Sequence, residues 1–199
     1  MIIDYKLLAE AISFYESHGF KQIEVDYIIP SDEMRWTPEI AKHDKSFTLD
    51  DGMFKHTPHE LVGSAEQSFA MMISNGTLKP GRYMAVTPCF RFEPEGYGII
   101  HQMHFIKLEL IIYEDFKDHY ICEIMHLVDL CKTFYSFKLD NISHKVISCN
   151  DEGAVDLMYN NIELGSYGSR VNGNIGWRKY IYGTGLALPR FSVAKESVL

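Results

Sequence analysis

Two arginines stand in segments rich in groups that handle phosphate. Arg91 lies in Thr87-Pro88-Cys89-Phe90-Arg91-Phe92-Glu93, which runs on to His104-Phe105-Ile106-Lys107-Leu108-Glu109. Arg190 closes a second segment, Gly183-Thr184-Gly185-Leu186-Ala187-Leu188-Pro189-Arg190. Planar guanidinium forks grip a polyphosphate with more directional control than a lysine point charge. Phe105 offers a flat face for a purine, and Glu109 offers a carboxylate for an ammonium group. Glu109 sits among Leu108, Leu110, Ile111 and Ile112, where an unpaired charge is costly, and this gives it a ligand-facing role. Together the residues suggest an ATP pocket in which a carboxylate is activated by adenylylation.

The rest of the chain must position these groups. It has 199 residues, 46% of them hydrophobic and 13% aromatic, enough for one substantial core and a single domain spanning residues 1–199. A net charge of −8 argues against a body built for broad adhesion to nucleic acid. No stretch nears the roughly 20 apolar residues of a membrane span, and the opening residues lack a signal-peptide pattern. The expectation is a soluble, cytoplasmic protein without a membrane partner. Cys89, Cys122, Cys131 and Cys149 show no C-x-x-C spacing and are expected to be buried free thiols. His101 and His104, three apart, would face opposite ways on a strand.

Apolar spacing predicts helices over Tyr5–His18, Ala65–Ser74 and Phe116–Phe137. Alternation predicts strands over Lys21–Ile29, Tyr83–Phe92, Met103–Tyr113, Lys145–Cys149, Ala154–Tyr159 and Ile162–Tyr167, with a final passage from strand to helix over Gly183–Val193. Between Ser31 and His59 the pattern dissolves into an irregular excursion or short hairpin. Hairpin-linked strands without a βαβ rhythm indicate an α+β domain on an antiparallel sheet, and the glycine signatures of Rossmann and P-loop sites are absent.

These segments resemble the catalytic domain of class II aminoacyl-tRNA synthetases, with seryl-tRNA synthetases the nearest type. The first helix and strand ending at Pro30 look like that class's first motif, which in the family builds a dimer interface. Leu61-Val62-Gly63-Ser64-Ala65-Glu66 looks like the loop beside the amino-acid site. Thr87 to Glu93 with Phe105-x-Lys107-x-Glu109 resembles the second motif, and Gly183 to Ala187 with Arg190 resembles the third. The fold implied is the class II antiparallel sheet flanked by helices, assembled as a homodimer.

The resemblance also implies roles. Arg91 would clamp the α-phosphate and the substrate carboxylate, and Arg190 the γ-phosphate. Phe105 would stack on adenine, with Glu93 orienting Arg91 or touching the adenine amine. Glu163 and Ser166 would hold Mg²⁺, a hard cation suited to oxygen donors. Ser64, Glu66, Glu109 and Thr184 would contact the amino acid, with serine leading and glycine or alanine as alternatives.

Several positions depart from the family. His101 stands where an arginine usually helps hold the terminal phosphates, and a neutral imidazole clamps phosphate more weakly. Tyr182 replaces an asparagine and would reshape the side-chain pocket. The loop before Phe105 is short and acidic where an RNA-facing loop prefers basic residues. The chain opens at the first motif, so the arm with which seryl-tRNA synthetases grip tRNA is expected to be missing. The acceptor of the activated acyl group is therefore open between tRNA and another molecule, such as a carrier protein or a small molecule. A non-catalytic paralogue that binds a partner is a further alternative. Zinc-using relatives that load carrier proteins carry cysteines in stretches that here read Gly63-Ser64-Ala65 and Ile181-Tyr182-Gly183, so the zinc-free seryl pattern is the better match.

Overall fold

Helix α1 (Tyr5–Ser17) starts where the Asp4 carboxylate accepts the Leu7 N–H at 2.9 Å, satisfying one of the donors that a helix leaves free at its start. It stops at Gly19, whose φ of 87° suits a residue without Cβ. Leu7, Leu8, Ala11 and Tyr15 form its buried stripe. The computed structural model describes residues 3–37, 46–49, 57–92, 97–114, 120–148, 154–172 and 178–196.

The remaining elements follow in chain order. They are β1 (Lys21–Gln22), β2 (Ile28–Pro30), α2 (Ser31–Met34), β3 (Phe47–Leu49), β4 (His59–Leu61), α3 (Ala65–Ser74), β5 (Gly81–Phe90) and β6 (His104–Tyr113). After these come α4 (Tyr120–Ser136), β7 (Ser143–Ser148), β8 (Ala154–Tyr159), β9 (Ile162–Asn172), β10 (Arg178–Leu188) and α5 (Arg190–Glu196). A seven-stranded sheet runs β1-β5-β6-β10-β9-β8-β7, antiparallel except for the short parallel edge strand β1. A three-stranded antiparallel sheet, β2-β4-β3, stands beside it.

The large sheet has two unlike faces because side chains alternate along each strand. On β6, Leu108, Leu110 and Ile112 enter a core with Tyr15 of α1, Leu127 and Val128 of α4, and Phe191 of α5. The alternate residues Phe105, Lys107, Glu109 and Ile111 point the other way. At the Ile111 end that second face is covered by α3 through Ala65, Phe69 and Ile73. At the Phe105 end no helix among the described residues covers it, and there the polar groups collect.

Three expectations change in detail. The strand expected over Lys21–Ile29 is two strands in different sheets. The ladder ends after the Ile23 N–H donates to the Met84 carbonyl, and the chain then crosses α3, where the Ser68 hydroxyl donates to the Asp26 carbonyl. Ile23 and Val25 pack on the α3 cluster instead of alternating in a ladder. Strands β9 and β10 pair over Arg178–Gly183, extending Ile162–Tyr167 to Asn172 and starting the last strand well before Gly183. Of the cysteines, Cys89 and Cys131 are buried but Cys122 is exposed, since it falls on the outer side of α4. Cys149 lies outside the described residues.

Candidate active site

Arg91 follows directly on the end of β5, and Arg190 opens α5 directly after β10. Both line one cavity of about 330 Å³ on that second face of the large sheet. Phe105 and His101 form another part of its wall, and Ser166, Thr184 and Glu163 line it from β9 and β10. Seven of the expected site residues thus converge: Arg91, His101, Phe105, Glu163, Ser166, Thr184 and Arg190. His101 is in a loop, so the strand argument that set it opposite His104 does not apply; its carbonyl accepts the Gly98 N–H at 2.8 Å. Glu93 lies outside the described residues.

Arg91 is held on two sides. Its Nε donates to the Gly63 carbonyl at 3.1 Å, and its guanidinium lies 5.4 Å from the centre of the Phe105 ring. The cation and the ring are therefore organised together. Arg190 is held by Glu163, with Nη1 at 2.8 Å from Oε1.

Glu163 and Ser166 are three apart, a spacing that a regular strand would send to opposite faces. The register of β8 against β9 shifts here, with Leu157 opposite Gly165 but Met158 opposite Glu163. The extra residue turns both side chains to the cavity. Asp156, opposite Ser166 in the ladder, also lines it. Two carboxylates and a hydroxyl suit Mg²⁺, which binds through one or two carboxylates plus substrate phosphates. Among the described residues no group of three His, Cys, Asp or Glu side chains could hold a metal on its own.

The glycines of Gly183-Thr184-Gly185 are explained by what lies beneath them. A Cβ on Gly183 would stand 2.6 Å from the Tyr167 ring, and one on Gly185 would stand 2.5 Å from Leu108. Tyr167 donates to the Thr184 carbonyl at 2.8 Å and Tyr15 to the Gly185 carbonyl at 2.9 Å. Burial raises both phenol pKa values well above the ordinary range, so the hydroxyls stay neutral donors. This clamp presents Thr184 to the cavity.

The other residues expected to contact an amino acid lie behind the cavity wall. Glu109 is buried and accepts from Ser64 Oγ at 2.5 Å, from the Ala65 N–H at the start of α3, and from Lys107 Nζ at 2.7 Å. Glu66 is also buried, and its Oε1 accepts from Arg170 Nε at 2.6 Å and from the Tyr180 hydroxyl at 2.9 Å. The Arg170 guanidinium lies 4.5 Å from the centre of the Tyr182 ring. Burial works against the charge on Arg170, but the Glu66 carboxylate together with Tyr182 and Tyr180 outweighs it and the net pKa shift is upward.

Lys107, Arg170 and Asp156 were not among the expected site residues. The Lys107–Glu109 pair was visible as an i, i+2 spacing on a strand. Arg170 and Asp156 carried no such signal, because their neighbours are set by the register of β9 against β8 and β10.

No protein-family profile matches the chain. Its relatives include the serine–tRNA ligase of Francisella philomiragia, 30% identical over 105 residues, a match covering 48% of this chain and 24% of the ligase. The serine–tRNA ligase of Legionella pneumophila is 29% identical over 113 residues, covering 53% and 26%. The match thus spans about a quarter of the length of these relatives. Among solved structures, a pyrrolysyl-tRNA synthetase from Desulfitobacterium hafniense superposes with a TM-score of 0.75 and 17% identity over 97% of this chain and 69% of its own. The cytoplasmic serine–tRNA ligase of Naegleria fowleri, solved in complex with AMP, gives 0.76 and 17% over 94% and 46%. No helix among the described residues is long and apolar enough to cross a membrane. The chain has the catalytic-domain fold of the class II aminoacyl-tRNA synthetases.

Proposed function

We propose that this protein activates an amino acid, serine first among them, by ATP-dependent adenylylation. The single observation that carries this reading is the convergence of Arg91 and Arg190 on one cavity that also holds the Phe105 ring. In such a reaction an oxygen of the substrate carboxylate attacks the α-phosphorus and its bond to the β-phosphate oxygen breaks. Pyrophosphate leaves and no proton moves. No side-chain nucleophile is needed, so catalysis consists of alignment and of positive charge placed where negative charge grows.

Arg91, fixed by the Gly63 carbonyl and Phe105, supplies that charge at the α-phosphate, and Phe105 stacks on the adenine. Arg190 takes the far end of the triphosphate, with His101 beside it. Glu163 and Ser166, with Asp156 alongside, would hold Mg²⁺, which neutralises phosphate charge when bound. Thr184 faces the amino acid from the cavity wall, and Glu109, behind Lys107, is the carboxylate for its ammonium group. The acyl group then passes to an acceptor, tRNA or another carrier, with the protein acting as a homodimer.

Pyrophosphate exchange into ATP with each of the twenty amino acids tests the reading. Serine-dependent exchange is the expected outcome, and no exchange with any of them overturns it. Acyl transfer to purified tRNA, compared with transfer to a carrier protein, separates the acceptors.

A further inference from the structure

Lys107 and Glu109 sit on the same face of β6, two residues apart, but they meet the cavity differently. Lys107 lines it together with Arg91 and Thr184, whereas Glu109 does not reach it. The side chains of the pair are 14% and 7% exposed and their charges are 2.7 Å apart. The other two donors to Glu109 are fixed in place: Ser64 is the N-cap of α3, and the Ala65 N–H is the first of that helix. Of the three, only Lys107 stands between the carboxylate and the cavity on a flexible stem.

A lysine head group is an ammonium with three donors, the same chemistry as the ammonium of a free amino acid. The group expected to recognise the substrate's amine is thus already engaged by an equivalent group from the protein. Two ammonium groups on one buried carboxylate would repel each other, so one must leave when the other binds.

We propose that Lys107 is a tethered placeholder on the amine-recognition carboxylate. The ammonium of the incoming amino acid displaces it from Glu109, and the released Lys107 head turns into the cavity beside Arg91, where the carboxylate and α-phosphate meet. This rests on the reading that the site adenylylates an amino acid, and it makes Lys107 a specificity-determining residue. An acid without an amine leaves Lys107 parked on Glu109, and the extra positive charge never reaches the reacting groups.

Two substitutions test it in opposite directions. Lys107→Met removes the competitor, so the dissociation constant for serine, measured by calorimetry with a non-hydrolysable ATP analogue, falls about 10-fold. The maximal rate of pyrophosphate exchange falls about 100-fold, because the cation is lost. Lys107→Arg grips Glu109 with a bidentate fork and weakens serine binding about 10-fold. A purely structural lysine would move affinity the same way in both variants. Weakening in both, or no change in Lys107→Arg, overturns the proposal, and Lys107→Gln, which also removes the ammonium and is read with the same sign, replaces the methionine variant if that one does not fold. Wild-type exchange with none of the twenty amino acids would instead overturn the activation reading, and this proposal with it.

Discussion

Arg190 Nη1 lies 2.8 Å from Glu163 Oε1, so the guanidinium proposed for the terminal phosphate and the carboxylate proposed for the metal are bonded to each other. Binding a metal at Glu163 or a phosphate at Arg190 competes with this bond. Glu163 is 43% exposed in this pair, and an ion pair this accessible to water is worth less than about 1 kcal/mol. Opening it therefore costs little against the new contacts to a metal-bound triphosphate. In Glu163→Gln, Mg²⁺-ATP binds about 10-fold more weakly, a loss of about 1.4 kcal/mol. Metal-free ATP, for which Arg190 no longer has a competitor, binds as well as before or better. Calorimetric titrations with and without Mg²⁺ check this; equal losses under both conditions would contradict it.

The Glu66–Arg170 pair behaves in the opposite way because it is buried, with side chains 6% and 12% exposed. Arg170→Leu takes the Arg170 cation away from the buried Glu66 carboxylate, and breaking a buried pair costs about 3–5 kcal/mol. Urea unfolding should show a lower midpoint at an unchanged slope. Adding Glu66→Gln to Arg170→Leu removes the stranded charge and recovers part of the loss. If the double variant is no more stable than Arg170→Leu, the cost is one of packing and not of charge.

Alkaline stability follows from two thiols. Burial pushes Cys89 and Cys131 up to about 12, well above the ordinary thiol range. Between about pH 9 and 12 the unfolded chain gives up these protons while the folded protein keeps them. The native state then binds more protons than the unfolded state, and stability falls as pH rises. Each thiol contributes up to about 1.4 kcal/mol per pH unit in that window. The double variant Cys89→Ala, Cys131→Ala therefore shows a shallower loss of stability from pH 9 upward, measured by urea midpoints across the range. An identical pH slope in wild type and variant would rule the thiols out.

Much of this architecture can be read from the chain, and the exceptions have physical causes. Helix α1 and strand β8 carry strong periodicities because each has one well-buried face, Leu7, Leu8, Ala11 and Tyr15 in the helix and Val155, Leu157 and Tyr159 in the strand. The three cavity walls built from Arg91, Phe105 and Arg190 could be anticipated because motif spacing survives independently of loop structure. The division of Lys21–Ile29 between two sheets could not be anticipated, since Ile23 and Val25 alternate as they would in a strand but are recruited by α3. The networks around Arg170 and Asp156 depend on cross-strand register, which no local pattern specifies. The engagement of Glu109 with Lys107 lay between these cases: the strand period put the two side by side, yet only the folded chain shows which one meets the cavity.

The central claim, that two arginines from distant segments act on one triphosphate, is tested most directly by serine-dependent pyrophosphate exchange in wild type, Arg91→Ala and Arg190→Ala. Loss of a charge-stabilising group at the reacting centre costs about 10²–10³ in rate. Arg91→Ala should fall by that factor while keeping its urea midpoint, and Arg190→Ala should fall mainly through a raised KM for ATP. Exchange at the wild-type rate in folded Arg91→Ala, or an unchanged KM for ATP in folded Arg190→Ala, would contradict the account.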